Sequence, residues 1–468
     1  MPDSTPVTSP TVLIAGAGIG GLIMAILLER AGIEYKIFDR HEKVATQGSA
    51  TALSFNVMPL MEQLGLLEEL KGISNILDGT TIFKEDMEVI REIRLRNNKR
   101  LTGYDSLVTS RPDFQALLLS RVPKEKIYMS KKIVSLSQNE ESVTITCEDG
   151  SAYTGDILVG ADGTQSTVRE LLYKQMEMQG IQAKIEQEDP KVEYMSIMGT
   201  TGPLSPSNYE GLDDSVSHCD TIIGEERGVT WRYFTIPNNR ICWRIDYQSS
   251  TMDTKYSQGW TNAEYNTFDA QTLPEEWKKN KLAIMGDLGS LFDATPKENI
   301  SKVVLEEKVY ETWTHGRTVL IGDGEQRGSA SSLLPNFALN AILDAAVLAN
   351  SLYEMPTSNH RNITKAFEEF YTERYPTVKR ELTPTQQMTT VLAAKTWLDS
   401  AGRYLLLKAY PKYFKEKSQE YILSYRPQAL FLPRIETKGE VPLTPQRPSK
   451  KYAAQTKVQM ATQPATAV

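Results

Sequence analysis

Cysteine, histidine and positive charge are all scarce in this chain of 468 residues. Each shortage removes a class of protein. The three cysteines, Cys147, Cys219 and Cys242, form no C-x-x-C pair, and an odd number gives no disulfide framework. They read as reduced thiols of an intracellular protein. The four histidines, His41, His218, His315 and His360, show no metal-ligand spacing, so no metal site is expected. Lys and Arg total 52 against 59 Asp and Glu, a net charge of -7. That balance argues against a partner rich in phosphates, and no nucleic-acid role is expected. No G-x-S-x-G nucleophile elbow occurs.

Long apolar runs are also missing. The stretch from Val12 to Leu28 carries four glycines among its first ten residues and reads as strand, tight turn and helix. Nothing else reaches the roughly 18 apolar residues that a transmembrane helix requires. The opening Met1-Pro2-Asp3-Ser4-Thr5-Pro6 has no basic segment before an apolar one, unlike a signal peptide. A cytoplasmic location is expected. Peripheral membrane contact stays open, because Tyr404-Leu405-Leu406-Leu407 with Lys408, Tyr410, Lys412, Tyr413 and Phe414 makes a basic, aromatic, apolar patch. Packing on a neighbouring domain or in a homodimer would use the same residues.

What is present is an ordinary globular composition, 40% hydrophobic and 24% charged. Thr11–Ala15 reads as a buried strand, Ala17–Ala31 as a glycine-opened helix and Glu34–Phe38 as a second strand, together a strand–helix–strand unit. Arg111-Pro112-Asp113 suits a helix start. Val143, Ile145 and Cys147 alternate with polar residues, and Glu148–Ser151 reads as a hairpin turn. A further hairpin joins Val229–Phe234 to Ile241–Ile245 across Pro237–Arg240. Its Trp231, Tyr233 and Trp243 could either pack the sheet or line a pocket. Thr318–Ile321 is another buried strand, followed by a helix carrying Leu339, Ile342, Leu343, Ala346 and Val347 on one face. Residues 361–425 read as helical, and the Pro/Thr/Gln/Ala-rich tail from Thr437 as unstructured.

The chemistry resides in the glycines. Gly16-Ala17-Gly18-Ile19-Gly20-Gly21 is a G-x-G-x-x-G directly after a strand and opening a helix. Glycines there allow a tight turn, close approach of pyrophosphate and helix–strand packing. The helix start offers free N–H groups and a positive dipole end. Asp39, at the end of the second strand, stands where an acidic residue would bind a ribose hydroxyl. This predicts dinucleotide binding and does not separate NAD from FAD.

Two later segments separate them. Asp156-Ile157-Leu158-Val159-Gly160-Ala161-Asp162-Gly163 with Ser166, Val168 and Arg169, and Gly316-Arg317-Thr318-Val319-Leu320-Ile321-Gly322-Asp323, resemble paired segments of FAD-dependent monooxygenases. The family is that of the aromatic-hydroxylase-like, or group A, enzymes, and the resemblance is nearest to their fungal natural-product branch. It implies an α/β fold in which a Rossmann-type FAD-binding domain (11–75, 101–175 and 305–355) is interleaved with a β-sheet substrate domain (76–100 and 176–304). A C-terminal helical region (356–430) follows, with unstructured tails at 1–10 and 437–468. It further implies FAD as cofactor, NADPH or NADH as co-substrate and molecular oxygen. The reaction would be hydroxylation or epoxidation of a small aromatic or isoprenoid substrate through a C4a-hydroperoxyflavin. Gly16, Gly18 and Gly21 would line the pyrophosphate, Asp39 the adenosine ribose, and Arg40 the adenine. Gly48, Arg111, Asp162, Gly322, Asp323 and Ala338 match further cofactor-contacting positions. For Arg111 and Gly48, a plain surface charge and a plain loop glycine remain alternatives. No acid–base residue is expected, because the flavin carries the difficult chemistry.

One segment departs from the family. After Gly322-Asp323 the family continues with Ala-x-His, a proline and a glycine-rich turn beneath the flavin ring; here Gly324 to Phe337 lacks the Ala-His, and Pro335 and Phe337 replace the paired glycines. Proline removes an N–H donor, and Phe lacks the freedom of glycine. An active but divergent site, a flavoprotein with altered or lost catalysis, and a faulty sequence at this junction all fit that departure.

Overall fold

The computed structural model of the protein describes residues 10–43, 50–95, 97–182, 194–224, 229–248, 266–267, 273, 275–284, 286–305, 308–324, 326–327, 337–392 and 421–462. A six-stranded sheet forms its centre, in the spatial order 314–315, 318–320, 157–160, 11–15, 34–38, 127–128. All neighbours run parallel except the first pair.

Period-two alternation divides the strand Thr11–Ala15 between two cores. Val12 and Ile14, with Ile37, Val159 and Val319, face the helices Ile19–Ala31 and Phe337–Glu354. Leu13 and Ala15, with Phe38, Leu158 and Leu320, face an antiparallel three-stranded sheet (133–138, 143–147, 152–155) and the helix Thr167–Met178. Burial on both faces explains why these strands read as continuous apolar runs. The Ile19–Ala31 helix ends where Gly32 turns left-handed at φ 67°.

The second unit is an eight-stranded sheet in the order 266–267, 300–305, 194–200, 240–248, 229–236, 219–223, 79–84, 89–94. Asn238 and Asn239 take φ values of 64° and 53° in its central hairpin, a conformation asparagine tolerates. One face packs Trp231, Tyr233, Trp243 and Ile245 against Leu288, Leu291 and Phe292. Trp231 Nε1 donates to Lys281 O at 3.1 Å and Trp243 Nε1 to Thr295 Oγ1 at 2.8 Å, while the Tyr233 hydroxyl donates to Asp220. These three aromatics therefore pack the sheet and do not line a pocket. The other face sets Phe234, Ile236, Cys242 and Cys219 on Ala52, Leu77 and Val108, which fastens it to a small sheet of 50–53, 107–110 and 75–76.

The C-terminal part corrects one expectation. Residues 360–392 and 421–424 are helical as expected, and the last residues of that region, 425–430, are not. The tail expected to be unstructured from Thr437 has defined backbone structure through Thr462. The Glu440 and Val441 amides donate to Arg100 O (3.2 Å) and Leu101 O (2.8 Å), Lys438 pairs with Glu62 at 2.6 Å, and Lys450–Thr462 is a helix. The tail is poor in apolar residues, so it reads as disordered by composition. Its partners are backbone carbonyls and a carboxylate more than 300 residues away, which local composition does not reveal.

Candidate cofactor site

The glycine-rich turn leaves the C-terminal end of Thr11–Ala15, where ligands of open parallel sheets bind. Two of its glycines are demanded by the protein itself. Gly16 has φ 101°, and a Cβ there would lie 2.5 Å from Ala161 O; one at Gly21 would lie 2.0 Å from Gly16 O. Gly18 differs, because a Cβ there would meet nothing within 4 Å. Gly18 also begins the Ile19–Ala31 helix in an extended conformation with no side-chain cap. An uncapped helix start beside open space suits a phosphate.

Asp39 sits directly beneath this turn. Its Oδ2 accepts the Ala17 amide at 2.8 Å, and its Oδ1 accepts the His41 amide at 2.9 Å with the imidazole Nδ1 at 2.8 Å. Arg40 is exposed at its side. The turn is held from above by Gln115, whose Nε2 donates to Ala17 O at 2.9 Å. Gln115 belongs to the helix Arg111–Leu119, capped by Ser110 accepting the Asp113 amide.

The opposite wall comes from the far end of the chain. Gly322, at φ 63°, ends the strand Thr318–Leu320, and its Cβ would lie 2.8 Å from Ala341 Cβ. A Cβ at Gly20 would lie 3.1 Å from the same methyl. Ala341 therefore touches two glycine loops some 300 residues apart. Asp323 follows, partly exposed at its surface yet deep enough that lost hydration pushes its pKa up to about 6. The Arg111 guanidinium pulls it the other way and Asp344 adds to the rise. Arg111 thus lies within electrostatic range of Asp323.

Asp344 anchors this wall. Its Oδ2 accepts the Gly322 amide at 3.0 Å, and its Oδ1 accepts Arg374 Nε at 2.6 Å, both side chains being fully buried. Arg374 Nη2 also donates to Asn340 Oδ1 at 2.9 Å, and its guanidinium lies 5.7 Å from the Tyr425 ring centre. Sequence reasoning missed Gln115, Ala341 and Arg374. The only local signal was the position of Asp344 in the helix after Asp323.

Asp162 has a more local place than the motif implies. Its carboxylate accepts Ser166 Oγ at 2.6 Å and the Val168 amide at 3.0 Å, capping the Thr167–Met178 helix. Ser166 accepts the Arg169 amide at 3.0 Å, and Arg169 donates back to Thr164 O at 2.9 Å. Gly160 to Arg169 is thereby a self-bracing loop whose backbone meets Gly16. Gly48, the divergent residues 328–336 and the 404–414 patch lie outside the described residues, as does the side chain of Ala338 in the first turn of Phe337–Glu354.

Residues 9–331 match the family model of the FAD binding domain. The FAD-dependent monooxygenase ptmM of Penicillium ochrochloron is 30% identical over 389 residues, 78% of this chain and 85% of its own. The FAD-dependent monooxygenase olcE of Penicillium canescens is 28% identical, covering 77% and 75%. Among solved structures, HpxO of Klebsiella pneumoniae complexed with FAD and uric acid superposes with a TM-score of 0.69 at 18% identity, covering 89% of this chain and 96% of that one. CtdE in complex with FAD and substrate gives 0.66 at 16% identity, covering 97% and 100%. The fold is that of the aromatic-hydroxylase-like flavoproteins. The chain belongs to the FAD-dependent monooxygenases of fungal secondary metabolism, and FAD is its cofactor. The residues present fit that group: open space at Gly18, an uncapped helix start, and a carboxyl at Asp323 within electrostatic range of the Arg111 guanidinium.

Proposed function

We propose that the chain uses NADPH or NADH and molecular oxygen to hydroxylate or epoxidise a small organic substrate held between its two main sheets. The observation that carries this reading is the meeting at Ala341 of the Gly16–Gly21 turn and the Gly322–Asp323 turn, with Arg111 within electrostatic range of Asp323. Such an arrangement gathers an uncapped helix start and a carboxyl at one place, which suits the phosphates and the adjoining sugar-like chain of a dinucleotide.

When bound between these turns, FAD would supply the redox and oxygen chemistry that no side chain of the protein provides. The protein binds, orients and excludes water. Amides at the start of the Ile19–Ala31 helix hold the pyrophosphate, with Gly16 and Gly21 shaping the turn and Gly18 leaving the approach clear. Asp39, held by the Ala17 and His41 amides, presents its remaining lone pairs to the adenosine ribose. Asp323 accepts from the hydroxyls of the ribityl chain, and Arg111 keeps it in the charged, accepting form. Gly322 and Asp344 fix the position of Asp323. Asp162 acts at one remove, by bracing the loop that Gly16 touches.

The test is the visible spectrum of the purified chain and its oxidation of NADPH or NADH. Flavin absorbance at ~450 nm, bleached anaerobically by either nucleotide in the presence of candidate substrates, is expected. Bound flavin that neither nucleotide reduces would favour a flavoprotein altered by the divergent segment after Asp323.

A further inference from the structure

One segment of chain runs from the apolar seam on the eight-stranded sheet to the cofactor turn. On the strand Leu107–Ser110, Val108 packs with Phe234 and Cys242 of the eight-stranded sheet. The strand passes without a break into the helix Arg111–Leu119, which Ser110 caps. The first turns of this helix send three side chains to three places. Arg111 lies within electrostatic range of Asp323. Gln115, buried, donates from Nε2 to Ala17 O of the glycine turn at 2.9 Å. Asp113, between them in sequence, reaches back to the other sheet and accepts Arg240 Nη2 at 2.6 Å.

Arg240 is held ready for that contact. It ends the hairpin turn Pro237–Arg240, and its Nε donates to Pro237 O at 3.2 Å, so the turn itself steadies the guanidinium. The Arg240 side chain is 20% exposed and that of Asp113 36%. The pair borders the seam, because both charges act on the buried Cys242 thiol. Apolar contact is non-directional, so a seam of this kind fixes separation better than orientation. A charge-assisted hydrogen bond has a defined direction. The seam therefore supplies contact, and the Arg240–Asp113 pair supplies orientation.

We propose that Arg240 and Asp113 are positioning residues for FAD: through the helix Arg111–Leu119 their ion pair holds Gln115 against the glycine turn and Arg111 toward Asp323. This rests on the assignment of the two turns to FAD made above. A partly exposed ion pair adds little to stability, so its effect falls on where Arg111 and Gln115 stand. Small displacements of the groups that hold a reactant are costly. The hairpin turn of the eight-stranded sheet is thereby part of cofactor binding, although it lies outside every glycine-rich segment.

The test uses the full FAD-loaded chain and reads FAD dissociation from the flavin fluorescence that appears on dilution. Arg240→Met is expected to weaken FAD binding about five-fold, while Tm without flavin moves by about 2 °C or less. The bond to Asp113 is a single one from Nη2, so Arg240→Lys, which keeps the cation, should recover affinity. The loss should shrink in a Gln115→Ala background, because Arg240 acts on the glycine turn through Gln115. Losses that simply add in that background, a fall in Tm that accounts for the lost flavin, or an Arg240→Lys variant no better than Arg240→Met would overturn the inference. Gly18→Ala separates this failure from that of the site. Weakened FAD in Gly18→Ala with wild-type affinity in Arg240→Met overturns the inference alone, whereas wild-type affinity in both overturns the assignment of the turns on which it rests.

Discussion

Replacing Arg374 by Met tests the link between the C-terminal helix and the cofactor turn. Arg374 and Asp344 are both fully buried and 2.6 Å apart, and Asp344 also holds the Gly322 amide at 3.0 Å. Met fills much of the volume of Arg but leaves Asp344 a buried carboxylate without its cation. Removing one partner of a buried pair costs about 3–5 kcal/mol. The structure offers relief only if the carboxylate moves or takes a proton, and either weakens its bond to Gly322. A hydrogen bond to a charged group contributes about 1.5–3 kcal/mol, which bounds the loss in FAD affinity between roughly ten-fold and 150-fold if all of it reaches Asp323. Partial transmission puts the expected loss near ten-fold. Thermal unfolding and FAD titration by fluorescence quenching would measure both effects. Asp344→Asn in the Arg374→Met background should recover part of the stability, because the unpaired charge is gone. The double-mutant cycle should therefore show coupling on the order of 2 kcal/mol. Wild-type FAD affinity in Arg374→Met, or losses that simply add in the double variant, would refute the reasoning.

The glycine turn separates protein demands from cofactor demands. Gly18→Ala should melt like the wild type yet bind FAD about ten-fold more weakly or worse, because the open space beside it is the approach to the phosphates, whereas Gly16→Ala should lower Tm because its Cβ would lie 2.5 Å from Ala161 O. Equal FAD affinity in Gly18→Ala would contradict its place at the pyrophosphate. Asp323 has a folded-state pKa near 6, above its unfolded value, so the flavin-free protein binds the extra proton when folded. Its contribution is present at low pH and is lost as pH rises toward and through 6. Asp323→Asn should flatten the fall in Tm of the flavin-free protein between about pH 4 and pH 6, and an unchanged slope in that window would count against the assignment. Deleting residues 437–468 removes the Lys438–Glu62 and Arg100–Glu440 pairs, the backbone bonds to Arg100 and Leu101, the bonds of Val441, Gln446, Ser449 and Gln455 to Arg426, Gln428, Glu354 and Tyr353, and the packing of Tyr452 on the main core, which should cost about 4 kcal/mol or more by denaturant titration.

How much of this was legible in the sequence depended on whether a feature is local. The Gly16–Gly21 turn is set by backbone sterics within six residues, so the glycines announce it. Asp39 is legible for the same reason, since strand length fixes its distance from the turn. The segment around Asp162 shows the limit of motif reading. Its pattern marks the family, but the motif does not reveal that each carboxylate oxygen already accepts a bond within the loop, from Ser166 Oγ and from the Val168 amide. The hairpin aromatics were legible as a set on one face, yet nothing within the hairpin states which face meets the cofactor domain; Phe234 and Cys242 settle that only through Ala52 and Val108.

The buried cluster in which Asp246 holds Arg244 Nε at 2.6 Å and Arg232 Nη2 at 3.1 Å was the least legible feature, although period two alone places Arg232 beside Phe234 and Arg244 beside Cys242 on one face. What was missing is the register between the strands 229–236 and 240–248. A slip of one residue in either strand would send its polar side chain to the opposite core. There it would meet Trp231, Trp243 and Phe292, an apolar layer that a guanidinium could enter only at high cost. The aromatic layer and the buried polar cluster therefore specify each other. Apolar side chains on one face hold the register, and that register is what brings Arg232, Arg244 and Asp246 within reach of one another. Substitutions that loosen the aromatic face should accordingly disturb the Arg232–Asp246–Arg244 cluster, read as a lowered Tm, before they disturb flavin binding, because the Gly16–Gly21 and Gly322–Asp323 turns are anchored in the other sheet.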